Sequence, residues 1–118
     1  MPLIQVDLNQ KVYDALHEQM STEIQAAQVE ALGITPDDLF HVFRPHQAGE
    51  LKFDPGYNNV DRRDLVLIQI TMVHMYPVGK KRALFEAIVR RLSALGIRPE
   101  DILISVVENG FEDWYAGR

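Results

Sequence analysis

The stretch ALGITPDDLF, residues 31–40, returns as ALGIRPEDIL at residues 94–103. A second pair, LIQVDL at 3–8 and LIQITM at 67–72, lies in the same order. The first pair is spaced by 63 residues and the second by 64. Two ordered matches at nearly equal spacing mark a duplicated segment.

Each copy reads outward from that stretch as strand, helix, strand. In the first, Leu3, Ile4, Val6 and Leu8 make a short apolar strand, and Asn9 is a good N-cap. Val12, Leu16, Met20, Ile24 and Ala27 then recur at helical spacing, and Gly33 supplies the stop. Thr35-Pro36-Asp37-Asp38 is a capped turn, followed by a strand over 40–44. In the second copy, 65–73 is a nearly continuous apolar strand. A helix over about 79–95 carries Ala83, Leu84, Ile88 and Leu92 on one face, Gly96 ends it, and a strand follows over 102–107. Residues 45–64, rich in Pro, Gly, Asn and Asp, form a loop with a short extended piece at 50–53.

Such crossovers join parallel strands. The expected fold is therefore α/β (α+β in some schemes), a tandem β-α-β repeat. It forms one domain over 1–118, with repeats at about 2–44 and 65–108, a four-stranded sheet and two helices on one face. Alternation sends Leu65, Leu67, Gln69, Thr71 and Val73 one way and Val66, Ile68, Ile70 and Met72 the other. Two helices cover one of these faces, and the other calls for self-association.

Composition narrows the function. A 47% apolar content with 25% charged residues argues against disorder. No apolar run reaches the roughly 18 residues of a membrane span, and the N-terminus lacks the basic and apolar regions of a secretory signal. A cytoplasmic protein is the default. Seventeen acidic against twelve basic residues, net −5, argue against a nucleic-acid partner. The absence of cysteine excludes disulfides and thiol nucleophiles. His17, His41, His46 and His74 lack metal-ligand spacing, the serines lack a GxSxG context, and there is no Gly-rich phosphate loop. The expectation is a small-molecule substrate with no metal, cofactor, membrane or nucleic acid.

Pro2 is the residue that points to chemistry. A small second residue permits removal of Met1, which leaves a free secondary amine. Apolar or cationic surroundings would keep that amine neutral, as a base; a nearby carboxylate would keep it charged, as an acid.

A Pro directly after Met, an apolar strand and tandem β-α-β segments together resemble the tautomerase superfamily. Its long-chain branch, which includes malonate semialdehyde decarboxylase, is the most similar. The pieces are MPLIQVDL, LGITPDDLF, HQAGE at 46–50, Arg62, GIRPEDILISVVEN and DWYAGR, nearly the whole chain. The resemblance implies that Pro2 is the catalytic proline. It implies that Asp38, with Asp37 as fallback, is the carboxylate that orients or activates water near it. A turn-capping role for Asp38 stands beside this one. Trp114 matches a tryptophan near the pocket wall, or simply packs the tail. The resemblance also implies a homotrimer, with sheets inward and helices outward.

One departure separates this chain from the decarboxylase. The two arginines that grip the substrate carboxylate there fall on His74 and Tyr76 here, and no arginine lies between Arg63 and Arg82. The bidentate grip is missing. His74, Tyr76 and Lys80 offer polar groups, and Arg62 offers charge unless it is structural. The leading expectation is a tautomerase-like enzyme that uses Pro2 as general base or acid on a small keto/enol carboxylic or carbonyl substrate. The alternatives are a decarboxylase, or a non-catalytic ligand-binding member of the fold.

Overall fold

Asn9 ends one element and starts the next. In the computed structural model, which describes residues 2–118, β1 (Leu3–Asn9) runs straight into α1 (Gln10–Leu32). The Asn9 side chain accepts a hydrogen bond from the Val12 amide at 2.8 Å. Gly33 closes the helix at φ 72°, a left-handed conformation that glycine adopts without strain. β2 (His41–His46), β3 (Val66–Val73), α2 (Val78–Ser93) and β4 (Ile102–Asn109) complete the chain.

The sheet order is β2-β1-β3-β4. β1 and β2 are parallel, β3 and β4 are parallel, and β1 and β3 meet antiparallel at the centre. The repeat is kept to the register. Ile4 lies beside His41, and their counterparts Ile68 and Ile104 lie beside each other. Gln5 pairs with its own counterpart Gln69, so a local two-fold axis passes between them.

Strand alternation decides what is buried. Ile4, Val6, Leu8, Val66, Ile68, Ile70 and Met72 are buried under the helices, against Met20, Ile24, Leu84, Ile88 and Leu92. Burying each such side chain contributes about 1.5–3 kcal/mol, and a one-residue slip would turn the whole row outward. The opposite face carries Leu67, Gln69 and Thr71 on β3, the exposed Leu103 and Val107 on β4, and the exposed Val42 on β2. Leu65 and Val73, expected with that face, are buried at the ends of β3. Arg90 and Arg91 of α2 pair with Glu23 and Glu30 of α1 across the helix surface.

Several boundaries differ from the sequence reading, among them the starts of β2 at His41 and β3 at Val66. β2 reaches His46 and β4 reaches Asn109. α2 stops at Ser93, because the Leu95 and Gly96 amides bond three residues back and tighten the last turn. Among the described residues no strand forms at 50–53. A turn closes there instead, with the Glu50 amide donating to Gln47 O and the Glu50 carboxylate accepting from the Gln47 amide. A 3-10 turn at Tyr57–Asn59 follows, with Asn58 and Asn59 at positive φ. No helix of the described residues is long and apolar enough to cross a membrane.

Candidate functional site

Pro2 is buried at the head of β1. It lines a cavity of about 390 Å3 with Leu3, Phe40, Trp114, Tyr115, Ala116 and Gly117. The Trp114 indole N–H donates to Asn109 Oδ1 at 2.8 Å, which fixes the ring at the end of β4. Among the described residues no charged side chain lines this cavity. On the sequence reading, apolar walls of this kind keep a free Pro2 amine neutral. The removal of Met1, on which that free amine depends, lies outside the described residues.

Asp38 sits on the turn after α1, where its amide donates to Thr35 O at 3.1 Å. It lines a second cleft with Thr35, Met75, Tyr76, Pro77 and Lys80. Burial, and after it the negative charge of Asp38, pushes the Tyr76 hydroxyl above its ordinary value. Asp37 is exposed and does not line this cleft. The Ile4 amide donates to Phe40 O at 2.9 Å, which lays residues 38–40 along the start of β1. That short segment joins the two spaces: Phe40 walls the Pro2 cavity and Asp38 walls the cleft.

The structure thus brings Pro2 together with Trp114, and Asp38 together with Tyr76. His74 and Arg62 stand apart from both spaces. His74 is exposed, with Nδ1 2.9 Å from Glu108 Oε2. Lys81 Nζ reaches the other oxygen at 2.7 Å, and the hydrogen bonds from Lys81 and then His74 hold the Glu108 carboxyl below its ordinary value. Arg62 is buried under the long loop, donating to Tyr57 O at 3.2 Å and Asp54 O at 3.4 Å. Among the described residues no arginine lines either space.

A polar network behind the Asp38 turn escaped the sequence reading. Gln25 Nε2 donates to Pro36 O at 3.1 Å and to Asp38 O at 2.8 Å. Its Oε1 lies 3.1 Å from His41 Nε2 and accepts from Gln28 Nε2 at 3.0 Å. Ser21 Oγ lies 2.8 Å from His41 Nδ1. Gln25 and Gln28 are buried. Burial lowers the His41 pKa from 6.5 to about 4, so the ring is neutral near pH 7. The repeat held the signal, because the second copy has apolar residues at the places of Ser21, Gln25 and His41.

Comparison with known proteins agrees with this architecture. Residues 38–117 match the family described as tautomerase enzyme. A probable tautomerase of Bacillus subtilis (strain 168), YusQ, is 33% identical over 119 residues, covering 99% of this chain and 94% of that protein. A second probable tautomerase of the same organism, YrdN, is 26% identical over 121 residues, covering 99% of this chain and 92% of its own length. Among solved structures, a malonate semialdehyde decarboxylase inhibited by 3-bromopropiolate superposes with a TM-score of 0.91 at 24% identity, over 98% of this chain and 89% of that one. A wild-type fused 4-OT, described as a symmetric trimer, superposes with a TM-score of 0.81 at 18% identity, over 98% and 91%. The structural likenesses carry the fold, and the family match and the 33% relative carry the membership: this chain belongs to the tautomerase enzyme family.

Proposed function

We propose that this protein is a tautomerase in which the Pro2 amine, exposed by removal of Met1, is the general base and acid for a small keto/enol substrate. The carrying observation is the setting of Pro2: buried, walled by Phe40, Trp114 and Tyr115, with no cation among the described lining residues. In the keto-to-enol direction the neutral nitrogen takes the proton alpha to the carbonyl. The C–H electron pair forms the C=C bond and the carbonyl pair moves to oxygen. The same proton is then delivered to that oxygen, so nothing is gained or lost. Asp38, on the adjoining segment, stabilises the transient ammonium. A decarboxylase reading takes support from Asp38, whose charge favours a protonated Pro2. It lacks an arginine pair to grip a carboxylate, so we rank it second.

The uncovered sheet face suits the homotrimer we propose. Leu67, Val42, Leu103 and Val107 share that face with the Asp7–Arg44 ion pair. The fused 4-OT neighbours are described as trimers. Size exclusion with light scattering should give about three times the chain mass, as closed three-fold symmetry requires. A monomer would reject this assembly.

The activity test is enol-to-keto conversion of a phenylpyruvate-type substrate, with intact mass to establish that Met1 is absent. Pro2→Ala should lower the rate by at least about 10²-fold with folding little changed, the scale of a lost general base. Undiminished turnover in Pro2→Ala would remove the proline from the mechanism. A wild type inert toward keto acids would favour a ligand-binding role.

A further inference from the structure

We propose that Gln25 is a positioning residue for the reaction: with His41 and Ser21 behind it, it clamps the turn that carries Asp38, on the segment that adjoins the Pro2 cavity through Phe40. The inference rests on the role given above to Pro2 and Asp38.

The direction of each hydrogen bond follows from chemistry. Gln25 Oε1 can only accept, so His41 Nε2, 3.1 Å away, carries the ring proton and donates it. His41 Nδ1 is then an acceptor, and the Ser21 hydroxyl at 2.8 Å donates to it. The 3.3 Å approach of Gln28 Nε2 to His41 Nε2 sets two donors side by side, so Gln28 gives its hydrogen to Gln25 Oε1 instead. The amide plane of Gln25 is thus fixed from behind. Its Nε2 spends both hydrogens on the carbonyls of Pro36 and Asp38. The clamp grips the turn by its backbone and does not use the Asp38 carboxylate.

The internal repeat shows that the fold does not require this arrangement. The counterparts of Ser21, Gln25 and His41, 63 residues on, are Leu84, Ile88 and Ile104. Leu84 and Ile88 belong to the hydrocarbon core, and the partly buried Ile104 packs against it. In the second copy the matching turn is held differently, by the carboxylate of Asp101. That carboxylate accepts from the Arg63 amide at 2.7 Å and from Arg98 Nη1 at 3.3 Å, and Asp101 is 3% exposed. Two solutions to one structural problem therefore stand in one molecule. One is apolar and consumes the aspartate. The other is polar, stabilises less per side chain than hydrocarbon, and grips the turn through its backbone carbonyls. The polar one occurs in the half whose first strand directly follows Pro2.

The test is Gln25→Met, which keeps the volume and removes the clamp. The Asp38 amide, which bonds Thr35 O, should exchange with solvent at least about tenfold faster. The Asp101 amide, which bonds Arg98 O in the other half, should be unchanged and serves as internal control. In enol–keto turnover, kcat should fall by at least about tenfold with KM moved less, within the roughly 10²-fold that a 1 Å misplacement can cost. The pH limb of kcat should move to lower pH, because a carboxylate held less closely stabilises the Pro2 ammonium less. Ser21→Ala should move exchange and rate in the same direction by a smaller factor, and stands in if Gln25→Met does not fold. Unchanged Asp38 exchange would overturn the clamp. Faster exchange with an unchanged kcat and pH limb would overturn its role in the reaction. If the wild type turns over no keto acid, the proposed function fails, and the exchange of Asp38 against Asp101 still decides whether Gln25 holds the turn.

Discussion

The two halves share a backbone plan down to strand register, yet they differ in what their aspartates do. In the second half Asp101 is buried and bonded to the Arg63 amide and to Arg98. In the first half Asp38 is only partly buried and faces Tyr76 across a cleft. The helix–strand contact differs in the same sense: Leu84, Ile88 and Ile104 in one half, Ser21, Gln25 and His41 in the other. A duplicated fold can divide labour in this way. The hydrocarbon half contributes stability at each of these positions, and the polar half retains charge and directed hydrogen bonds near the cavity.

The sharpest way to break the comparison is to delete each aspartate in turn. Asp101→Ala leaves the Arg63 amide without its acceptor, while Arg98 keeps Glu100 and Asp61 O, and should cost roughly 1–3 kcal/mol, the scale for a buried donor left unpaired. Turnover of the folded variant should stay near that of the wild type. Asp38 is less buried than Asp101, and Asp38→Ala leaves the Gln25 bonds to the turn in place, so it should cost less stability than Asp101→Ala. The kcat of Asp38→Ala should fall by roughly 10²-fold. Urea midpoints and steady-state rates on both variants check the contrast. Equal stability losses in the two would mean that Asp38 is as structural as its counterpart.

The fold was legible because duplication repeats its own signals. Two copies of the LGI-x-P turn bracket the helices, and strand alternation places Val66, Ile68, Ile70 and Met72 together. The Pro2 cavity was legible only in part. Pro2 and Trp114 stand out in the chain, whereas Phe40 and Tyr115 become walls only when the tail returns to β1. His74 and Tyr76, two apart after an apolar strand, read as same-side neighbours. The chain turns at once after Val73, with the Met75 amide on Val73 O, and this sends Tyr76 to the cleft and leaves His74 outside. The Ser21–His41–Gln25 network was hidden because Ser and Gln on a helix resemble a solvated face. Only the packing of α1 on β2 buries them.

A more selective effect should come from pH, since of the six matched positions Ser21, Gln25, His41, Leu84, Ile88 and Ile104 only His41 has a titratable side chain. His41 has its pKa lowered by burial from 6.5 to about 4. Unfolding exposes the ring, so between those values the unfolded chain binds a proton that the folded chain does not. The neutral ring therefore contributes fully above pH 6.5, and its contribution falls away as the pH drops from 6.5 toward 4. The groups packed about it are Ser21, Gln25 and Gln28 on α1 and Phe43 on β2, with His17 and Glu18 along the same groove. Glu18 is exposed and pairs with His17 at 3.1 Å, so it offers the imidazolium little relief. His41→Ile, which copies Ile104, removes the titration. It leaves Gln25 Oε1 with Gln28 as donor and the Ser21 hydroxyl at the groove. Relative to that variant, the wild type should lose roughly 2–3 kcal/mol of unfolding free energy between pH 6.5 and pH 4. Asp7, lowered first of all by its Arg44 hydrogen bonds, titrates alike in both proteins and cancels in the difference. Urea unfolding at several pH values reads it directly. Parallel curves for the two proteins would show that His41 ionises within the fold as easily as outside it, and the contrast with the hydrocarbon half would then carry no electrostatic cost.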